Sequence, residues 1–389
     1  SLVVSRDKAG SEYYGLYLMP ATGGALRPIK VAKKVKTNLQ WTTLDSKTLY
    51  YTANDKDAAN YTVYRYHIAE DRHELVSDQP GYWWIADKQG DQLLLVKAKG
   101  NTSREVFLFD ETKKVLKPLF GQGEEEQYSV AFNDRGEILT LTNKFDDFKR
   151  LYLYRSGQFE PVTGSADYEI ASFFTDRQKT RIHLRLVKQG HYSFAFLDIK
   201  GSPIAGPTFQ GATHTLLGSV SDNGRYLTLG VTFHDRPCIS YVWDWQTKTQ
   251  AQWTLPSAPE IDTSGFTKDT LVHYPAADGT MIPMFVKRPK ACLDKVCPVI
   301  IRFHGGPEGS SYPGFSPYDE LYLDAGFVMA KPNVRGSSGL GKAWLHADNR
   351  AKRLKVITCV PLGYIPSKYS VLGYDCMLNF MDWLFHLSL

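Results

Sequence analysis

The tetrad Leu151-Tyr-Leu-Tyr154 decides the fold, because the chain carries it in several versions. The same alternating apolar-aromatic pattern stands at Leu16-Tyr-Leu-Met19, Val63-Tyr-Arg-Tyr66, Val106-Phe-Leu-Phe109, Phe194-Ala-Phe-Leu197 and Val242-Trp-Asp-Trp245. In chain order the six starts are 47, 43, 45, 43 and 48 residues apart. Alternation with period two is the signature of a strand with one buried face. A second register runs through Asp45, Asp87, Asp134, Asp176 and Asp222, in steps of 42, 47, 42 and 46. These acids read as turn residues, each leading into a new strand such as Leu93-Leu-Leu-Val96 or Tyr226-Leu-Thr-Leu229. Two registers sharing a period near 45 predict one four-stranded blade per repeat, hence a β-propeller of about six or more blades. A β-sandwich with accidental spacing is the weaker alternative. The chain opens almost at once on a repeat strand, so the first blade is expected to be incomplete.

Composition agrees. Of 389 residues, 43% are hydrophobic, 22% charged and 13% aromatic, which excludes a disordered or fibrous chain and leaves room for two or three domains. The net charge of +5 is spread out, and Lys33-Lys34 with Lys36 and Lys352-Arg353 are short solvated runs. No nucleic-acid partner is expected. No apolar run approaches the roughly 20 residues of a spanning helix, so no membrane span is expected. The chain starts at Ser1 with no signal peptide, as if processed, trimmed or incomplete there. Cys292 and Cys297 are close enough to form a disulfide in an exported protein, or are two unrelated thiols; cytoplasmic and exported locations both stay open. No ligand set for a metal is apparent, and no cofactor is implied.

The repeat breaks after Trp253-Thr-Leu255, and Pro256-Ser-Ala-Pro259 reads as a linker. The expected division is a propeller over 1–258 and an α/β domain over 259–389. A hairpin is predicted around Asp278-Gly279. Two apolar strands follow, Pro298–Phe303 and Phe327–Ala330, with a helical segment from Pro317 to Ala325 between them. Strand, glycine loop, helix, strand is the crossover unit of a parallel sheet, whose active groups sit at strand C-termini. The loop after the first strand is His304-Gly305-Gly306-Pro307. Small residues there let backbone N–H groups approach a developing oxyanion; the plainer reading is a tight turn. His304 reads as an orienting or structural histidine rather than a general base.

These residues resemble a family. A propeller followed by Asp278-Gly-Thr-Met-Ile-Pro283, Phe303-His-Gly-Gly-Pro-Glu308, Pro332-Asn-Val-Arg-Gly-Ser-Ser-Gly339 and Gly341-Lys-Ala-Trp344 is similar to the prolyl oligopeptidase family of serine peptidases, nearest to its acylaminoacyl-peptidase-like branch. By motif the resemblance covers about residues 265–358. It implies an α/β-hydrolase domain, a Ser-Asp-His triad, and a propeller that admits only short peptides. It also implies that Gly305 and Gly306 serve the oxyanion or its scaffold. Arg335 and Gly336 would then brace the loop below the site.

The nucleophile elbow Gly-x-Ser-x-Gly is absent from the 389 residues. Gly336-Ser-Ser-Gly-Leu-Gly341 lacks its spacing, and Ser370 has bulky neighbours where an elbow needs small ones. No catalytic serine, acid or histidine is assigned; Asp375, Asp382 and His386 are too close together to serve. The segment 359–389 matches nothing the family leads one to expect. Deletion or a reading-frame change would explain this, giving an inactive fragment with only the N-terminal portion of the hydrolase domain. An incomplete sheet predicts exposed apolar edges and self-association. The alternative from another class is a non-catalytic propeller that binds a partner. An esterase sharing the glycine loop is a third reading, disfavoured by the propeller.

Overall fold

The computed structural model describes residues 1–256, 260–276, 278–306, 308–349 and 352. Pro307, the segment 359–389 and the late residues Ser370, Asp375, Asp382 and His386 lie outside the described residues. The first sheet has three strands, β1 (Leu2–Arg6), β2 (Gly15–Met19) and β3 (Arg27–Lys30). The second is β4 (Thr37–Thr42), β5 (Thr48–Asp57), β6 (Asn60–His67) and β7 (Arg72–Ser77). The third is β8 (Tyr82–Gln89), β9 (Gln92–Ala98), β10 (Arg104–Asp110) and β11 (Val115–Phe120). The fourth is β12 (Tyr128–Phe132), β13 (Ile138–Thr142), β14 (Arg150–Arg155) and β15 (Gln158–Pro161). The fifth is β16 (Glu169–Thr175), β17 (Arg181–Lys188), β18 (His191–Asp198) and β19 (Pro203–Ile204). The sixth is β20 (His214–Val220), β21 (Tyr226–Thr232), β22 (Ile239–Asp244) and β23 (Thr249–Gln252).

Each of these sheets is a meander of sequential strands, and together they are the blades of a β-propeller, as the repeat predicts. The repeated tetrads fall on the third strand of each four-stranded blade and supply buried residues to both of its faces: Val63 and Tyr66 are fully buried, as are Val106 and Leu151. Their apolar side chains pack between neighbouring blades. Leu16, Leu18 and Ile29 interdigitate with Leu49, Tyr51 and Tyr66, and Leu94 and Val96 with Tyr128 and Phe132.

The turn acids are not all alike. Asp45 accepts from the Thr43 hydroxyl at 2.6 Å and the Lys47 amide at 3.1 Å, closing its turn. Asp176 likewise accepts from the Thr180 amide at 2.6 Å. Asp87 departs from the turn reading. It lies within β8, almost fully buried, and its Oδ2 accepts the Phe132 amide of the next blade at 2.7 Å. A bulge between Ile85 and Asp87 turns the side chain inward, and the turn itself comes later at Gly90-Asp91.

After the sixth blade come β24 (Thr270–Pro275), β25 (Met281–Lys287), β26 (Val299–Ile301), α1 (Pro317–Asp324), β27 (Val328–Pro332) and α2 (Lys342–Leu345). The sheet order is β24-β25-β27-β26; β24 and β25 form an antiparallel hairpin, whereas β26 and β27 run parallel. Parallel neighbours require a crossover, and α1 provides it. Ser316 caps α1 by accepting the Asp319 amide at 3.3 Å, with Pro317 at the first position. Gly326 ends it at φ +86°. The sheet packs over Cys292, Cys297, Val299, Val328 and Ala330, and Cys292 and Cys297 are joined in a disulfide.

The described residues divide into two compact units, one of residues 1–144 and 151–162, the other of 145–150 and the described residues from 163 onward. Among the described residues no helix is long and apolar enough to cross a membrane.

Candidate active site

Two loops leave the C-terminal ends of the parallel strands β26 and β27, where open α/β sheets gather their chemistry. The first carries His304, Gly305 and Gly306. The second carries Asn333, Arg335, Gly336 and Ser337. Gly306 has φ +129°, and a Cβ there would stand 2.7 Å from the Gly309 amide. A Cβ on Gly309 would in turn collide with the Gly305 carbonyl, so the turn closes only with glycines at both positions.

The loops are fastened to each other. Asn333, almost fully buried, accepts the Ser311 amide at 2.6 Å and donates to the Ser311 carbonyl at 3.0 Å. The Ser338 amide donates to the Gly309 carbonyl at 2.9 Å. His304 Nε2 lies 2.7 Å from Ser337 Oγ, and His304 Nδ1 lies 3.1 Å from the Gly305 carbonyl. Ser337 Oγ also donates to the Val334 carbonyl at 2.6 Å.

Proton counting fixes what this chain of contacts can do. Three contacts run in series from the Val334 carbonyl to the Gly305 carbonyl. A neutral imidazole and one hydroxyl supply two hydrogens; an imidazolium supplies the third. Burial nevertheless holds the His304 pKa below its ordinary value, although the Gly305 carbonyl works in the other direction. His304 is therefore neutral near pH 7 and orients the loop. Ser337 is fully buried with its hydroxyl committed, which removes it as a nucleophile.

Arg335 points elsewhere. Its Nη1 donates to Asp278 Oδ2 at 2.6 Å and to Thr280 Oγ1 at 3.0 Å, tying the second loop to the β24–β25 turn. The Thr280 amide and hydroxyl, followed by Arg335, hold the Asp278 carboxyl down at about 2. Gly336 sits at φ +94°, where a Cβ would meet the Asp348 carboxylate at 2.5 Å. Its amide donates to the Trp344 carbonyl at 3.0 Å, and the Trp344 indole donates to the Val334 carbonyl at 3.0 Å. The structure thus joins the His304 loop to Ser337, whereas Arg335 and Gly336 secure the back of the second loop.

Below the loops lies an ionic network, buried except at Arg302. Lys287 reaches Glu320 at 2.7 Å; Lys331 reaches Asp269 at 2.8 Å and Asp319 at 3.3 Å; Arg302 reaches Asp319 at 2.9 Å. It fixes α1 against β25 and β27. Asp269 Oδ2 also accepts the Gly314 amide at 2.8 Å, so the network holds the far end of the glycine loop too. Sequence reading missed Asn333, Ser337, Asp269 and this network. The faint signal was an unusual density of Lys, Asp and Glu inside otherwise apolar strand and helix segments.

The propeller and the paired loops can now be set beside known proteins. A family model described as the prolyl oligopeptidase N-terminal β-propeller domain matches residues 2–163. Over these residues the chain is similar to the propeller domain of the prolyl oligopeptidase family. Prolyl oligopeptidase ophP of Omphalotus olearius is 22% identical over 337 residues, covering 79% of this chain and 45% of that protein. Dipeptidyl aminopeptidase BI of Pseudoxanthomonas mexicana is 23% identical over 384 residues, covering 92% of this chain and 51% of that protein. The chain therefore spans about half the length of these relatives. A shorter match to the prolyl endopeptidase of Elizabethkingia miricola reaches 35% identity over 86 residues, 22% of this chain and 12% of that one. A solved prolyl endopeptidase superposes with a TM-score of 0.80 at 19% identity, covering 92% of this chain and 55% of its own. Prolyl oligopeptidase B of Galerina marginata, solved with a 35mer hydrolysis and macrocyclization substrate, gives 0.75 at 16% identity, covering 92% and 56%.

Proposed function

We propose that these residues form the propeller and the first part of the catalytic domain of a serine peptidase acting on short peptides through an acyl-enzyme. The propeller takes residues 1–258 and the α/β portion residues 259–389. The observation that carries this reading is the pairing of two glycine loops at the ends of adjacent parallel strands, joined through His304 and Ser337. In this reading His304, Gly305, Gly306 and Pro307 make the oxyanion side of the site, with the backbone N–H groups of Gly305 and Gly306 as donors. Arg335 and Gly336 are its scaffold, consistent with their contacts to Asp278, Thr280 and Trp344.

Taken alone, the 389 residues do not turn peptides over in this account. They hold no Gly-x-Ser-x-Gly, and Ser337, beside the histidine, is buried with its proton committed. Loss of a triad member costs several orders of magnitude in rate. The absent elbow also favours a second reading, a non-catalytic propeller that binds a partner. A serine-reactive fluorophosphonate separates active from inactive: no stoichiometric labelling is expected, and labelling of any serine sinks the inactivity claim. Short-peptide binding at the glycine loop separates the two inactive readings.

A further inference from the structure

The glycines of Gly336-Ser-Ser-Gly-Leu-Gly341 and the residues around Tyr312 share an unassigned role. Gly339, at φ +81°, leaves room for Val187 at the end of β17: a Cβ there would meet the Val187 side chain at 2.9 Å. Gly341, at φ +92°, leaves room for the Asp147 carboxylate in the β13–β14 loop. Asp147 uses that space. Its carbonyl accepts the Lys342 amide at 2.8 Å and its Oδ1 accepts the Ala343 amide at 2.7 Å. No side chain of the second loop caps α2 from within; a residue 196 positions away in sequence does so.

The first loop is held in the same manner. Tyr312 stacks on His214 at 4.4 Å between ring centroids and meets Tyr192 edge-on at 6.3 Å. Tyr192 Oη is 3.1 Å from Ser310 Oγ. Gly314 admits Thr232, whose Cγ2 would be 2.9 Å from a Cβ, and the Phe315 amide donates to the Phe233 carbonyl at 2.9 Å. Every one of these partners comes from blades four to six.

We propose that the loops of blades four to six form a positioning surface for both glycine loops, with Asp147 and the Tyr192–His214 pair as its anchors and the His304–Ser337 bond as the contact they hold closed. The two anchors engage different loops, and the loops are fastened to each other through Asn333, Ser338 and Ser337. Freeing either loop lets it move independently of its mate and exposes His304. This rests on reading the loops as the peptide site, yet it predicts a behaviour of His304 that does not require peptide to bind.

The test is the titration of His304, followed by its imidazole resonances in the 389-residue chain and in Asp147→Ala, Tyr192→Phe and Tyr312→Leu. Burial holds the His304 midpoint below its ordinary value in the parent. All three variants are expected to raise it. Amide exchange of Ala343 in Asp147→Ala, and of Ser338 in all three variants, is expected to quicken about ten-fold, the loss of one hydrogen bond. Exchange in the blade strands stays as in the parent. Tyr192→Phe removes one hydroxyl and keeps the ring, so it remains informative if a larger substitution fails to fold. An unchanged His304 midpoint in folded variants overturns the proposal, as does exchange that quickens uniformly through the blades. Failure of short peptides to bind the parent, with the His304 shifts intact, would overturn the peptide reading and leave the positioning surface standing.

Discussion

Lys287 Nζ lies 2.7 Å from Glu320 Oε1, with the lysine fully buried and the carboxylate nearly so. The pair joins β25 to α1 beneath the glycine loop. Burial raises the Glu320 pKa, and Lys287 opposes that rise. Lys287→Met removes the opposition and leaves a buried carboxylate unpaired, a loss of about 3–5 kcal/mol. Lys287→Met with Glu320→Leu should recover most of that, because both desolvation costs vanish together. The sign in pH follows. The folded single variant keeps the Glu320 proton to higher pH than the unfolded chain, so its stability falls as pH rises from about 4.5. Denaturant unfolding at several pH values checks both statements.

Glu111 is a hub in the other unit. It accepts from Tyr50 Oη at 2.8 Å, Arg65 at 3.0 Å and Lys88 at 2.6 Å, joining the second and third blades. Burial and the Glu111 charge push the Tyr50 phenol well above its ordinary value. Glu111→Gln keeps a partner for Tyr50 but leaves two cations without their shared anion. With Arg65 and Lys88 partly solvated, about 2–3 kcal/mol of stability should be lost. Urea melts of the variant test it; a change under half a kcal/mol would contradict the hub.

His183 is buried against Phe174, Phe196 and Trp245, and burial pulls its pKa down to about 4. His214 is likewise pulled down to about 4, by burial first and then by Arg185 and His191. A depressed histidine stays neutral when folded while the unfolded chain takes up a proton near 6.5. Stability should therefore fall as pH drops from about 6.5 to 4, by roughly 2–3 kcal/mol for each site. His183→Leu should flatten that slope by its share; an unchanged slope would contradict the assignment.

Asn333 holds both polar groups of Ser311. Asn333→Ala strands a buried amide and a carbonyl, at a cost of about 2–4 kcal/mol. Hydrogen exchange at Ser311 should quicken before the strands open. Asn333→Asp keeps an acceptor for the Ser311 amide but sets a buried carboxylate against the Ser311 carbonyl, so its loss should be at least as large.

The helix α1 exposes Tyr318, Leu321 and Tyr322, and Leu293, Val296 and Phe303 are exposed nearby in sequence. Such an apolar surface favours association. Sedimentation velocity should show concentration-dependent oligomers, reduced in Tyr318→Lys with Leu321→Glu. A monodisperse parent at all concentrations would count against it.

The propeller was legible because its signal is local and repeated: each tetrad alternates within one strand, and six copies fix the period. Asp87 escaped because a bulge, which no single position announces, moved it from turn to strand. In the site, the glycines were visible as residue types, but their reasons were not. Gly339 and Gly341 are glycines on account of Val187 and Asp147, more than 150 residues earlier in the chain. The spacing of Gly336-Ser-Ser-Gly-Leu-Gly341 already argues against a nucleophile elbow, and the burial of Ser337 and its Val334 partner add the structural reason. The ionic network was hidden for the same reason: Lys287, Asp319 and Glu320 pair through space rather than at helical spacing.

The measurement that bears most directly on the functional account is a titration of the glycine-labelled chain with short unstructured peptides. Binding at the proposed oxyanion loop should shift the Gly305 and Gly306 amides and the His304 ring in a saturable way, with blade glycines such as Gly136 and Gly224 unmoved. Peptides that leave Gly305, Gly306 and His304 unperturbed while shifting the blade resonances would contradict it, and would leave a propeller that binds its partner elsewhere.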